Sequence, residues 1–299
     1  MIPCYQSASI EPLKRLVKNA LRWLVRHERA WTLLNRTVWR TARQADHLRR
    51  RYLLEGISPG EEAEISSVQA AVRRAFPDLT VRHGIFEGLK YPRVEAAGSC
   101  LFPKLLGSYE RELQEFFASV PARRYGRVVD IGCAEGYYAV GLARLLPGAS
   151  VCAFDTDERS RELCREMAEL NGVADRLEIR GWCDEFILRA LPRGEKTLII
   201  SDCEGYEAQL FSADCAAALA RHDLLIETHD FINPDISIRL RQRFAATHDV
   251  RTVLSIDDVE KASRYDYPEL SGCDSAQRLA LLAEFRPATM RWLILTGKS

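Results

Sequence analysis

From residue 126 onward, short apolar runs alternate with longer stretches whose apolar positions recur every three to four residues. The apolar runs predict strands at 127–131, 150–155, 176–180, 196–202 and 222–228. The stretches between them predict helices at about 136–146, 157–171, 184–191, 205–221 and 235–246. Two further strands are expected at about 249–255 and 291–297, separated by a segment holding Tyr265, Tyr267 and Pro268 and a short helix near 275–285. Apolar strands that alternate with helices of this length predict an α/β fold, with a parallel sheet covered on both faces.

The first part of the chain reads differently. From Glu11 to Arg51 the residues Leu13, Leu16, Val17, Ala20, Leu21, Trp23 and Leu24, then Trp31, Leu34, Val38 and Trp39, keep helical spacing, so two helices or one long one are expected. Ile57-Ser58-Pro59-Gly60 is a turn signal, another helix follows from about Glu62 to Phe76, and Pro77-Asp78 stops it. Residues 80–92 suggest a small hairpin-like cap, and 109–119 one more helix. The expected division is therefore a helical extension and cap over 1–110 and an α/β domain over 111–299, close to the prior of about 150 residues per domain.

Composition is that of a globular protein, with 47% hydrophobic and 28% charged residues. The formal charge is zero, yet residues 1–51 alone carry +9 and the remainder −9. The basic helical segment is thus physically distinct from an acidic body, and it fits either docking in a homodimer or peripheral contact with a membrane surface. No run reaches the roughly 18 apolar residues that cross a bilayer, and Lys14, Arg15, Lys18, Arg22 and Arg26 interrupt any secretory apolar core. A soluble, cytoplasmic protein is expected. The nine cysteines are scattered, without a Cys-x-x-Cys pair, and read as reduced and mostly buried.

Chemistry concentrates at the ends of the expected strands. The first strand leads into Asp130-Ile131-Gly132-Cys133-Ala134-Glu135-Gly136, whose glycines allow positive φ and let a ligand lie against the backbone. The spacing is Asp-x-Gly-x-x-x-Gly, and Ala134 stands where the dinucleotide fingerprint calls for glycine, which argues against a nicotinamide oxidoreductase. An adenosyl group without phosphates needs the close turn alone, and Asp130 and Glu135 at its mouth favour a cation. The second strand ends in Asp155-Thr156, where an acid can accept both ribose hydroxyls. Cys183-Asp184 follows the third strand, where an adenine edge would lie.

These residues resemble the S-adenosylmethionine site of class I methyltransferases: Asp130, Gly132, Cys133, Glu135, Gly136, Asp155, Thr156, Cys183, Asp184 and Asp202 are the cofactor-binding set the resemblance implies. It also implies a Rossmann-like fold, a seven-stranded, mostly parallel sheet with one antiparallel strand. The run Asp202-Cys203-Glu204-Gly205-Tyr206-Glu207, followed by Glu227-Thr228-His229, is similar to the FkbM-type methyltransferases, a family that includes O-methyltransferases of macrolide and carbohydrate hydroxyls. The likeness covers roughly residues 126–256 and, more weakly, 291–297.

Transfer from a sulfonium is a direct displacement, so catalysis rests on positioning and on a base for the acceptor. His229 suits a base near neutral pH, with Asp202 and Glu227 beside it at adjacent strand ends; a satisfied structural histidine is the competing reading. Asp202, Glu227 and Asp230 form an alternative set of hard ligands for magnesium. Glu204 and Glu207 read equally as ligand contacts or as acids in a first helical turn. No Asn-Pro-Pro-Tyr or Asp-Pro-Pro-Tyr follows the fourth strand, so a hydroxyl of a small molecule or glycan is favoured over an amine, and no nucleic acid is expected as partner. The rival class is a non-catalytic adenosyl-binding or scaffold module that keeps the fold without transfer.

Overall fold

The computed structural model describes residues 69–192 and 194–298. The chain divides into two units, Met1–Ile65 and Ser66–Ser299, and all described residues belong to the second. The helices expected over 11–51, and with them the membrane and dimer readings, lie outside the described residues.

One seven-stranded sheet organises the second unit: β1 Arg127–Ile131, β2 Ser150–Phe154, β3 Leu177–Arg180, β4 Thr197–Ser201, β5 Asp223–Thr228, β6 His248–Leu254 and β7 Arg291–Gly297. The order is β3-β2-β1-β4-β5-β7-β6. The pairs from β3 through β5 are parallel, and β7 runs antiparallel to both β5 and β6. The mostly parallel sheet with one reversed strand is therefore as expected.

Residues 69–75 are helical, and the α-helices that follow among the described residues are α1 Leu101–Leu106, α2 Gln114–Ser119, α3 Tyr137–Leu145, α4 Glu158–Leu170, α5 Glu185–Arg189, α6 Glu207–Leu210, α7 Ala213–Ala218, α8 Ile236–Phe244, α9 Asp258–Arg264 and α10 Ser275–Leu282. The period-2 alternation of the strands sorts their side chains into two cores. Val128, Leu198, Ile200, Leu225, Trp292 and Ile294 pack with α3, α4 and the cap. Val129, Ile131, Ile199, Leu224, Ile226, Leu293 and Leu295 pack on the opposite face with α5 to α8. β4 and β5 are buried along their whole length, which explains why they read as continuous apolar runs.

The expected helix at 205–221 is two helices. Ser212 adopts an extended backbone and its hydroxyl accepts from Cys215 N at 3.2 Å, so it caps a new helix in place of continuing the old one. Helix α9 was not anticipated; Asp257 caps it, accepting from Glu260 N at 3.0 Å. In the cap, Thr80 and Lys90 form an antiparallel bridge, as the hairpin reading expects. Phe76, Val81, Phe86, Leu89, Phe102 and Leu105 share one core with Val140 and Leu142 of α3, so a division at residue 110 separates residues that pack together.

Candidate active site

Five strand ends meet at the carboxyl edge of the sheet, where open α/β folds hold ligands. The turn after β1 is fixed by backbone proximity. Gly132 has φ +84°, and a Cβ there would stand 1.8 Å from the Asp202 carbonyl oxygen, while Asp202 N donates to Ile131 O at 2.8 Å. Only glycine lets the tips of β1 and β4 close this far. Gly136, at φ +102°, opens α3, and a Cβ on it would meet Cys164 Sγ at 2.9 Å. Cys133 N joins the tip of β2 by donating to Phe154 O at 3.0 Å, and its side chain is buried.

Asp155 braces this turn. Its carboxylate accepts from Ala134 N and from Asp157 N, each at 2.9 Å, with Thr156 exposed beside it. Cys183 is buried in the core beneath β3, and Asp184 caps α5 by accepting from Ile187 N at 3.0 Å. Both therefore have structural work just beyond the end of β3.

Glu135 does not face the strand ends through an open side chain. Its carboxylate, 2% exposed, is met by Lys104 Nζ at 2.5 Å, Tyr91 Oη at 3.0 Å and Ala97 N at 3.0 Å. Lys104 lies over the rings of Tyr109 and Tyr137. The residue read from sequence as an acid for the ligand instead ties the cap to the glycine turn.

Asp130 remains. It is buried, its Oδ2 has no hydrogen-bond partner, and burial, then the charges of Asp202 and Asp155, push its carboxyl up to about 8. Asp202 lies across the turn. The protein packed around it and the Glu204 charge push it up to about 7, with His229 pulling the other way, although its side chain is 43% exposed.

His229, at the tip of β5, is the hub of the second half of the site. Its Nδ1 pairs with Glu207 Oε1 at 2.6 Å, and its Nε2 lies 3.5 Å from both Asp202 Oδ1 and Glu204 Oε2. Burial lowers its pKa, but the Glu207 bond and the charges of Asp202, Glu207 and Glu204 outweigh that and hold it at about 9. Glu207 is fully buried at the start of α6, so its role as partner to His229 combines the two readings made of it from sequence.

Glu227 and Asp230 are each engaged by an arginine. Glu227 accepts from Arg286 Nη1 at 2.7 Å; burial, then the charges of Asp202 and Glu110, raise its pKa well above the usual range. Asp230 accepts from Ser237 N at 2.9 Å and pairs with Arg291. The trio Asp202, Glu227 and Asp230 proposed from sequence for magnesium is thus not assembled; the donors that converge are Asp202, Glu204 and His229.

Sequence reasoning missed a buried ionic network around Arg286. This guanidinium is also held by Glu110 at 2.7 Å and Glu284 at 2.9 Å, and lies over the ring of Trp292. Its members come from segments far apart in the chain with no shared motif, so spacing carries no signal for them.

The arrangement as a whole suits a cationic nucleoside. A buried carboxylate with one oxygen free of hydrogen bonds lies beside a turn too close for a Cβ, and crowding raises two carboxyl pKa values toward neutrality. A bound positive charge relieves that crowding.

No family model matches the chain. The "Probable cobalt-precorrin-6B C(15)-methyltransferase (decarboxylating)" of Pyrobaculum calidifontis is 38% identical over 79 residues, 26% of this chain and 40% of that protein. The chain thus matches less than half the length of this curated relative. Among solved structures, TrmN from Thermus thermophilus is 19% identical, covering 66% of this chain and 52% of its own, with a TM-score of 0.40. Cofactor-bound Rv0187 from MTB is 12% identical, covering 83% and 96%, with a TM-score of 0.39. Sheet order and the reversed seventh strand give this chain the Rossmann-like fold of class I methyltransferases, and a 79-residue segment of it is similar to one enzyme named as a methyltransferase.

Proposed function

We propose that this protein is an S-adenosylmethionine-dependent methyltransferase that methylates a hydroxyl oxygen of a small molecule or glycan. The observation that carries the reading is the pairing of two half-sites on one sheet edge: the acidic glycine turn with the Asp130 carboxylate, whose Oδ2 has no hydrogen-bond partner, and the buried His229–Glu207 dyad reached through Asp202. When bound, S-adenosylmethionine supplies an electrophilic methyl group on a sulfonium.

The chain's own residues supply the rest. Asp130 balances the positive charge, the turn from Gly132 to Gly136 seats the adenosyl group, and Asp155 stands at the ribose edge. Holding an acceptor oxygen in line contributes about 7–11 kcal/mol. A base contributes about 10²–10⁴-fold. Glu207 fixes the His229 imidazole through Nδ1; because the surrounding carboxylates hold the ring at about 9, Nε2 takes the hydroxyl proton from the neutral fraction, which grows as pH rises toward that value. The FkbM-type reading gains support from the same residues, because Asp202, Glu204 and Glu207 of the Asp-x-Glu-Gly-x-Glu run all surround His229 of the Glu-x-His run.

The relative matched over 79 residues is named as a C-methyltransferase, which favours a carbon acceptor as second reading. Incubation with methyl-labelled S-adenosylmethionine and a panel of sugars, polyketides and phenols separates the two, since product NMR distinguishes a methyl ether from a new carbon–carbon bond. His229→Ala is expected to lower the transfer rate by about 10²–10⁴-fold with cofactor affinity retained. An unchanged rate removes His229 as base, and no turnover with any acceptor favours the binding module.

A further inference from the structure

His229 is 4% exposed at its side chain, and its two ring nitrogens have different surroundings. Nδ1 is saturated by Glu207, whereas Nε2 has two carboxylate oxygens at 3.5 Å and a hydrogen bond to neither. That spacing exceeds the range of about 2.7–3.2 Å for an N–H···O bond. Asp202 Oδ1, one of the two oxygens, is a buried atom with no hydrogen bond at all. The third oxygen-bearing neighbour, Glu204, is exposed and free to swing, and the three donor atoms lie within 4.8 Å of one another.

Distances too long for hydrogen bonds match the edges of a coordination polyhedron. With metal–ligand bonds of about 2.1 Å, tetrahedral ligand atoms stand about 3.4 Å apart, and cis-octahedral ones about 3.0 Å. A metal-bound imidazole also needs its other nitrogen donated to a carboxylate, which fixes the tautomer and raises ligand basicity. Glu207 provides this at 2.6 Å from inside the core.

We infer that Asp202 Oδ1, Glu204 Oε2 and His229 Nε2 form a site for a divalent transition-metal ion, zinc best matching the spacing, with Glu207 as the orienting carboxylate. One imidazole and two carboxylates with a fourth position open suit zinc better than magnesium, which takes oxygen ligands in an octahedron. The ligand set differs from the acids read off the sequence, because Arg286 and Arg291 occupy Glu227 and Asp230. An ion on Nε2 and proton transfer through Nε2 exclude one another, so the ion-loaded site is an alternative state to the base of the proposed function, and metal binding is tested without turnover.

The test uses the full chain, stripped with chelator and titrated with Co²⁺ and then Zn²⁺ alone. Expected is one Co²⁺ per chain with the intense visible bands of tetrahedral geometry and no thiolate charge-transfer band, displaced by Zn²⁺. Glu204→Gln, an exposed position that leaves the core untouched, should weaken binding at least tenfold. Glu207→Gln should weaken it by about 10–100-fold, and His229→Ala should abolish the bands while circular dichroism reports a folded protein. Absence of the bands in the wild type, their survival in His229→Ala, or a thiolate band pointing to the free cysteines would each overturn the site.

Discussion

The pair Lys104–Glu135 offers the sharpest quantitative test of how the glycine turn is held. Both side chains are almost wholly buried, at 3% and 2% exposure, and their atoms are 2.5 Å apart. Lys104→Met keeps the length of the stem and its packing on Tyr109 and Tyr137 but leaves Glu135 with only Tyr91 Oη and Ala97 N. Stranding one partner of a buried ion pair costs about 3–5 kcal/mol, because the remaining charge has lost its compensation in a medium that solvates it poorly. The two surviving hydrogen bonds hold the cost toward the lower end, so a loss of about 3 kcal/mol is expected. Removing both charges together, as Lys104→Met with Glu135→Gln, should return most of that loss, since the amide keeps a hydrogen bond to Tyr91 or Ala97 and no charge is stranded. Urea unfolding of the four proteins in a double-mutant cycle measures this, with an expected coupling of at least about 2 kcal/mol. If Lys104→Met lowers stability by less than about 1 kcal/mol, as for an exposed pair, the placement of this pair inside the core is refuted.

Two further outcomes follow from the same site. Asp130 is held near 8 and must be ionised to balance a sulfonium, so affinity for S-adenosylmethionine should rise about tenfold from pH 7 to pH 9 while that for uncharged-sulfur S-adenosylhomocysteine stays flat; parallel calorimetric profiles for the two would remove Asp130 from charge balance. Gly132→Ala forces a Cβ to 1.8 Å from the Asp202 carbonyl at φ +84°, and it should abolish cofactor binding and lower the melting temperature, a result contradicted if the variant melts and binds as the wild type does.

The strands of this protein are legible in its sequence because burial on two faces leaves continuous apolar runs, and every observed strand begins and ends within a residue or so of its expected place. The site is legible in part for a different reason: residues at strand ends are close in space whatever lies between them, so Asp130, Asp202 and His229 could be grouped from the strand reading alone. Direction of a side chain is not encoded in that way. Glu135 sits one residue from Gly136, yet its carboxylate is claimed by Lys104 and Tyr91, residues of a cap whose docking no periodicity reveals. Glu227 and Asp230 group with Asp202 by their places at adjacent strand ends, yet they pair with Arg286 and Arg291, which arrive from the loop and strand at the far end of the sequence. Ser212 shows a subtler failure, since its hydroxyl converts a helical pattern into two helices without disturbing the apolar spacing.

One guanidinium limits how this chain can be redesigned. Because Arg286 is gripped from positions 110, 227 and 284 at once, swapping the connection that precedes β7 for one of another length would strand several acids beneath aromatic rings. The solvent-facing Trp182 and Phe186, which follow the end of β3, carry no such ionic ties and are the more open positions for substitution near the proposed site.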